Sequence, residues 1–413
     1  MNMTLAEKKK RLDKLADAYN KKKGCIALGR LSENEELKDK LTNRFILTPS
    51  LNVNAAMGGG FPIGKTTIIS GDSDSGKTFL CLETIGKKMK EDPNFVAGWL
   101  ESEKSLNSSD LELFGIDLSR FYFSEMSTKG GAEEALDIVE NTIASGGVDM
   151  YVINSLKCLV PKEELEKGMG DVQVGLQARM NSKMMRKLTT LIGEQEVAFV
   201  LIQHLTTQIG GVMMRDPKIL AGGQQIRYNS QVILDLRKKS LGDNEHITRE
   251  EGTKIGVTVR KNHVVTDQFP YKKTDYYAVF GEGIEIYIEA LDLAIEAGLI
   301  NKSGGWLSMI DQATGDIATD ENGVALKWNG KAKFRNYCKE NPEFFNNLRA
   351  KLNGSAENAS EEEIEEFKKE EEADIKLAKK IKDADDKANK KASKKDQTEI
   401  KEEDDIIAQA NNK

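Results

Sequence analysis

Eight consecutive residues, Gly71-Asp72-Ser73-Asp74-Ser75-Gly76-Lys77-Thr78, follow a β-prone run from Thr66 to Ser70 and open a helical pattern from Lys77 to Lys90. Glycines on either side of a four-residue gap let the backbone turn where other residues would clash. Successive N–H groups then face one point at a helix N-terminus, which is the cradle a phosphate needs. Lys77 adds a point charge for the β- and γ-phosphates of a nucleotide, and Thr78 adds a hydroxyl for Mg²⁺. Together with the adjoining Phe79, residues Gly71, Asp72, Ser73, Asp74, Ser75, Gly76, Lys77 and Thr78 are the expected ATP contacts. Such a loop belongs where a strand of a mostly parallel sheet delivers the chain into a helix, so it constrains the fold as much as the chemistry.

The surrounding pattern agrees. Strand-like runs at Phe95 to Leu100, Val148 to Ile153 and Val197 to Gln203 alternate with helical runs at Ala132 to Ala144 and Val172 to Gly193. Alternation of this kind predicts right-handed βαβ units and a parallel sheet covered by helices. Gln231 to Leu236, Lys254 to Val259 and Asp275 to Phe280 follow without intervening helices and are expected to extend the sheet as hairpins. Ahead of the core, Thr4 to Lys23 reads as a Lys-rich helix and Cys25 to Leu28 as a β-prone arm, a pair expected to dock on a neighbouring subunit or on its own domain. After Gly283 the pattern turns helical and then mixed, with Trp306 and Trp328 as expected core residues. The predicted division is 1–45 for the helix and oligomerisation arm, 46–284 for the nucleotide- and DNA-binding core, 285–353 for a small C-terminal domain and 354–413 for a charged, partly helical or disordered tail.

Charge bears on partners through its distribution. Residues Glu357 to Lys413 hold nineteen acidic and thirteen basic side chains, so all but one unit of the net charge of −7 lies there and the body is nearly neutral. A nucleic-acid partner is therefore not excluded. Cys25, Cys81, Cys158 and Cys338 are scattered, and with His204, His246 and His263 they offer no zinc spacing. Met1 to Asn20 lacks a secretory apolar stretch and no apolar run suits a bilayer, so the expected compartment is the cytoplasm and no membrane partner is expected.

Two strand ends carry further chemistry. Trp99-Leu100-Glu101-Ser102-Glu103 puts acids at the carboxyl edge of the sheet, where ligands of such folds sit, and Glu103 is placed to orient an attacking water. The run Asp149 to Ile153 ends in Asn154, where a metal-supporting acid is expected. An amide can hold a metal-bound water but brings no negative charge, so Mg²⁺ binding and hydrolysis are expected to be weakened.

These residues resemble the RecA/UvsX-type DNA strand-exchange recombinases, with a phage-encoded member the expected kind. Besides the phosphate loop, the resemblance is carried by Glu101-Ser-Glu103, Asn154-Ser155 with Pro161-Lys162, Gly170-Asp171, and Gly175-Leu-Gln-Ala-Arg179 through Ser182 to Arg186-Lys187. Gln203-His204, Gly222-Gly223, Val259-Arg-Lys261-Asn262 and Phe280-Gly-Glu-Gly283 continue it, so it covers the chain up to about residue 350. It implies an α/β fold: a RecA-like P-loop NTPase core with a mostly parallel central sheet, an N-terminal helix-plus-strand arm and a small C-terminal α/β domain.

The implied activity is a DNA-dependent ATPase that forms head-to-tail helical filaments on single-stranded DNA and pairs that strand with homologous double-stranded DNA. Loader and single-strand-binding proteins are implied as accessory partners. Residue by residue, Glu103 matches the catalytic glutamate and His204 the γ-phosphate sensor, a position where UvsX-like members carry His and RecA-like members Gln. Lys261 and His263 match two basic groups that reach a neighbour's nucleotide. Pro161 to Gly170 and Leu205 to Ala221 match the DNA loops. Arg179, Ser182, Arg186, Gly222 and Gly223 match phosphate contacts, Val174 and Ile209 lie near residues that wedge between bases, and Tyr228 faces the neighbour. Such contacts hold any sequence and leave base edges free for pairing.

Asn154 in place of the usual acid, Asp110 where an adenine-stacking Tyr is common, and His263 in place of a second basic residue depart from the pattern. The rival expectation is a hydrolysis-deficient ATP-binding filament or mediator protein of the same fold. A hexameric helicase of the same superfamily fits less well, because the DNA loops and N-terminal arm match the recombinases.

Overall fold

The computed structural model describes residues 3–24, 26–127, 129–166, 175–207, 218–220, 224–242, 247–265, 272–320 and 323–354. The chain divides into two compact units, Met1–Glu289 and Ala290–Lys413. No helix among the described residues is long and apolar enough to cross a membrane.

The first unit opens with α1 (Leu5–Lys23). Thr4 and Glu7 close a capping box at its start, Gly24 ends it in the left-handed region at φ 68°, and Lys21, Lys22 and Lys23 sit in the last turn, where the helix dipole favours cations. None of its residues is buried, and Leu5, Leu12, Leu15 and Tyr19 are exposed. The expected strand after it does not form, for a strand needs a sheet edge to pair with. Instead Asn20 takes the backbone of that segment: its side chain accepts from Ala27 N and Leu28 N and donates to Leu28 O.

The core follows as α2 (Leu51–Met57), β1 (Thr66–Gly71), α3 (Lys77–Glu91), β2 (Ala97–Glu101), β3 (Phe121–Glu125), α4 (Gly131–Ala144), β4 (Met150–Asn154), α5 (Leu176–Glu194), β5 (Ala198–Thr207), β6 (Lys218–Leu220), α6 (Gln224–Asn229), β7 (Val232–Lys239), β8 (Gly252–Asn262), β9 (Lys273–Val279), β10 (Gly283–Ile284) and α7 (Ile286–Glu296). The large sheet has the order β10-β9-β8-β7-β1-β5-β4-β2-β3, with β6 paired to β5. Strands β1 to β5 and β7 run parallel; β8, β9 and β10 extend the sheet antiparallel. The three strands expected as hairpins form an antiparallel run β7-β8-β9, and β7 joins that run to the parallel sheet as a neighbour of β1.

Period-2 alternation sorts the sheet's side chains into two cores. Ile69, Trp99, Val152, Val200, Ile202 and Leu234 pack with Leu80, Ile85 and Met89 of α3 on one face. Ile68, Leu100, Tyr151, Phe199, Leu201 and Ile233 pack with α4 and α5 on the other. Both faces are buried, which is why these strands read as continuous apolar runs.

Strand β3 went unread because it is an edge with a mixed pattern: Phe121 is buried, but Tyr122 and Phe123 are exposed. The expected irregular loops are partly ordered as well. Lys162–Leu165 forms a helical turn, and Leu205 to Thr207 pairs antiparallel with Lys218 to Leu220.

A buried acid ties α7 to α2. The Glu289 carboxylate accepts from Ser50 Oγ at 2.9 Å and from Asn52 N at 3.2 Å, and burial pushes its pKa up to about 8, against the pull of those hydrogen bonds. A carboxyl raised in the folded state contributes stability below its unfolded pKa, and that contribution is lost as pH rises through the folded one. Between pH 6 and 8.5 the Tm is therefore expected to fall, and Glu289→Gln is expected to flatten that fall whatever its own Tm. Parallel slopes in thermal melts would assign the loss to another group.

In the second unit β11 (Ile300–Ser303), β12 (Trp306–Met309) and β13 (Lys327–Asn329) form an antiparallel sheet, followed by α8 (Lys331–Glu340) and α9 (Pro342–Gly354). Trp328 is buried and packs edge-on against Phe334, ring centroids 5.0 Å apart. Trp306, expected in the core, is exposed; it stands at the turn between β11 and β12 and carries Lys327 Nζ over its ring at 4.8 Å.

Candidate nucleotide site

Parallel register assembles the site at the carboxyl ends of four adjacent strands. Gly71 of β1 lies beside His204 of β5, and Asn154 of β4 lies beside Glu101 of β2. Beyond β1 the loop turns through Asp74 and Gly76, both at positive φ (57° and 83°), and α3 starts at Lys77 without a side-chain cap. The uncapped first turn leaves its N–H groups for a ligand. A Cβ on Gly71 would collide with Ser75 Oγ and Leu236 O, and one on Gly76 with Ile255 and the Tyr276 hydroxyl, so glycine is required at both positions. Tyr276 Oη donates to Gly76 O at 3.3 Å and braces the loop from below.

Lys77 is 5% exposed and donates from Nζ to Asp72 O at 2.6 Å. Desolvation lowers its pKa, opposed chiefly by the charge of Glu103, then Asp72 and Asp74. A buried ammonium with one backbone acceptor is a group waiting for an anion. Ser75 Oγ and Asn154 Oδ1 are likewise buried without a protein partner. Two such atoms at one sheet edge fit a nucleotide phosphate and a metal-bound water, and Thr78, half-buried in the first turn, supplies the hydroxyl. Phe79 packs edge-on against Phe114, centroids 5.7 Å apart.

Glu103, two residues beyond β2, meets His204: Oε1 and Nε2 are 2.7 Å apart, each side chain 22% exposed. Lys77, Glu103, His204 and Asn154 are thus brought to one edge. Glu101, an acid of the same strand end to which the sequence assigns no role, is 1% exposed. Its carboxylate accepts from Glu103 N at 2.7 Å, Asn154 Nδ2 at 2.9 Å and Trp99 Nε1 at 3.0 Å. The one signal for it was its place beside Asn154 once strands were aligned.

Lys261 and His263 are not part of this group. Asn262 lies beside Val232, and Val232 beside Thr67, at the start of β1. At about 3.3 Å per residue the strand puts Lys261 more than about 10 Å from the loop, at the opposite edge of the sheet. There Lys261 Nζ donates to the carbonyls of Arg227 (2.8 Å), Tyr228 (3.2 Å) and Ser230 (2.5 Å), closing the end of α6. The side chain of His263 is exposed, as is Tyr228 on α6. On α5 Arg179 and Arg186 are exposed and Ser182 is half-buried, at the margin of the side that buries Met185, Leu188 and Ile192; Ser182 Oγ donates to Ala178 O at 2.8 Å. Val174, Ile209, Gly222 and Gly223 lie outside the described residues, as do 355–413 of the tail.

Comparison with known proteins fits this geometry. The RecA N-terminal domain family matches residues 10–285. Protein RecA of Thermus aquaticus is 33% identical over 347 residues, covering 84% of this chain and 94% of its own length. Protein RecA of Aquifex aeolicus is 32% identical over 357 residues (86% and 95%), and that of Bdellovibrio bacteriovorus 32% over 353 residues (85% and 86%). With the phosphate loop, the parallel sheet and the match over most of its length, the chain belongs to the RecA family.

Proposed function

We propose that the edge formed by Lys77, Glu103, His204 and Asn154 is where this recombinase couples ATP hydrolysis to DNA. As a member of the RecA family the chain is a DNA-dependent ATPase that forms filaments on single-stranded DNA for strand exchange and repair. The observation that carries the residue assignment is the 2.7 Å contact between Glu103 and His204. Glu103 is aimed at the nucleotide edge, while His204 sits on β5, which ends at Thr207 inside the segment Leu205 to Ala221 that the resemblance assigns to DNA.

In this reading Lys77 and the N–H groups of the first turn of α3 hold the β- and γ-phosphates. Glu103 orients the attacking water and accepts its proton. His204 holds Glu103 until a γ-phosphate and an ordered DNA loop draw the imidazole away. Mg²⁺, which Thr78 would bind directly and Asn154 through water, supplies charge neutralisation at the phosphate oxygens. Arg179, Ser182, Arg186 and the loop residues Val174, Ile209, Gly222 and Gly223 serve the DNA backbone and base steps. Tyr228, Lys261 and His263 face the next subunit. Loader and single-strand-binding proteins complete the partners, and the cytoplasm is the working compartment. His204 favours a phage-encoded member.

Asn154 keeps alive a second reading, a filament that uses ATP only as glue. Strand exchange measured with ATP and with a non-hydrolysable analogue, beside steady-state ATPase with and without single-stranded DNA, separates the two. DNA-stimulated hydrolysis that Glu103→Gln removes supports the first; strand exchange at full rate with turnover independent of Glu103 sinks it.

The tail gives a further expectation. Glu357 to Glu372 carries nine acids against two lysines and can compete with DNA for basic groups. Deleting the chain from Gly354 onward is expected to tighten duplex binding at low salt and less so at high salt. Equal affinity at every salt concentration would leave the tail a solvated extension.

A further inference from the structure

We propose that Glu101 is a positioning residue of the nucleotide site in this chain, its buried carboxylate orienting both Asn154 and Glu103. The inference rests on the reading of Glu103 as the water-orienting group. It begins with register: Glu101 and Asn154 are lateral neighbours on β2 and β4. Three N–H groups converge on the one carboxylate. Oε2 accepts from Asn154 Nδ2 at 2.9 Å and Trp99 Nε1 at 3.0 Å, and Oε1 accepts from Glu103 N at 2.7 Å.

A carboxylate offers only acceptors, so the Asn154 amide must turn its NH₂ toward Glu101, with Ser105 Oγ at 3.3 Å as a second acceptor. The orientation of the amide is thereby decided by chemistry. Oδ1 is left on the far side, buried and without a protein partner, facing away from the acid. The same carboxylate fixes the backbone of Glu103, whose side chain reaches His204.

The neutral residue at the end of β4 follows from this arrangement. An aspartate at 154 would set two carboxylates at hydrogen-bond distance, so one of them would have to take up a proton and the orienting hydrogen bond from the amide would be lost. In this chain the carboxylate of the pair stands on β2 and the amide on β4. The influence of Glu101 on the chemistry passes through the two residues it holds, Asn154 and Glu103.

The test uses full-length Glu101→Gln, Asn154→Asp, the double exchange Glu101→Gln/Asn154→Asp, and Glu103→Gln. Single-stranded-DNA-stimulated kcat, KM for ATP and the Tm of the nucleotide-free protein are measured for each. Glu101→Gln is expected to lower kcat about tenfold or more with KM changed by less than about threefold, the mark of misdirected catalytic groups with binding intact. Asn154→Asp is expected to lower kcat similarly and to lower Tm through the opposed carboxylates. The double exchange restores one acid and one amide to the pair, and is expected to recover both kcat and Tm relative to Asn154→Asp.

A rise in turnover for Asn154→Asp alone, or a double variant no better than either single one, overturns the proposal. Should Glu101→Gln fail to fold, the double variant decides: a folded, active protein supports the exchange, and an unfolded one overturns it. Loss of kcat in Glu103→Gln with wild-type kcat in Glu101→Gln refutes the role of Glu101 alone. Wild-type kcat in Glu103→Gln refutes the reading beneath it.

Discussion

Lys77→Ala is expected to abolish ATP-dependent filament formation on single-stranded DNA while leaving the fold intact. The ammonium is held by a single backbone carbonyl, Asp72 O, and desolvation already disfavours its charge, so the folded protein loses little when it goes. The nucleotide loses much more. Each charge-assisted hydrogen bond to a phosphate is worth about 1.5–3 kcal/mol, so the loss of contacts to both the β- and γ-phosphates is expected to weaken ATP binding by about a hundredfold or more. Nucleotide titration followed by fluorescence, with thermal melts as the control for folding, reads both quantities. ATP-stimulated DNA binding equal to wild type in a folded Lys77→Ala protein would remove the nucleotide from this loop.

The second large effect is expected across a subunit boundary. Lys261 lies at the edge of the sheet opposite Lys77 and Glu103, away from the nucleotide of its own chain, and in the proposed reading it reaches that of the next. Positive charge delivered there meets the negative charge that develops on the phosphates during transfer, a contribution that commonly reaches about 10³-fold or more in rate. Lys261→Ala is expected to abolish DNA-stimulated turnover with DNA binding retained. Mixed with Glu103→Gln subunits that keep an intact Lys261, it is expected to regain some activity at boundaries where the two good residues meet. Silence from a mixture shown to co-assemble would place both residues in one subunit's site.

How far the sequence could be read depended on whether a residue's role was local. Strands β1, β4 and β5 were legible because both faces are buried and nearly every residue is apolar, and α3 and α4 because their apolar stripes meet that sheet. The phosphate loop was legible because its glycines serve a backbone shape that only neighbours in sequence create. Strand β3 was hidden by exposed Tyr122 and Phe123. The contact of Glu103 with His204 joins residues 101 positions apart; the strand-end position pointed to Glu103, and only the family resemblance pointed to His204. Glu101 was given no role of its own because beside Glu103 it read as one more acid at a strand end; its hydrogen bond to Asn154 appears only when β2 and β4 are laid side by side. Trp306 misled because a large aromatic in a small unit is ordinarily core, whereas here it lies beneath a lysine at a turn.

The seat of Lys261 on the last carbonyls of α6 bears on how a filament begins. An ammonium held by Arg227, Tyr228 and Ser230 must leave them before it can touch a neighbour's phosphate, so the first pair of subunits loses a helix end cap in order to form one contact. Once a filament exists, each arriving subunit meets a boundary that offers DNA, nucleotide and protein surface together, and the same loss is offset at once. If Lys261 serves the neighbour's nucleotide, assembly time courses are then expected to be sigmoidal, with a lag that short preformed seeds abolish, so that a long single-stranded gap would be favoured over brief exposure of a few bases.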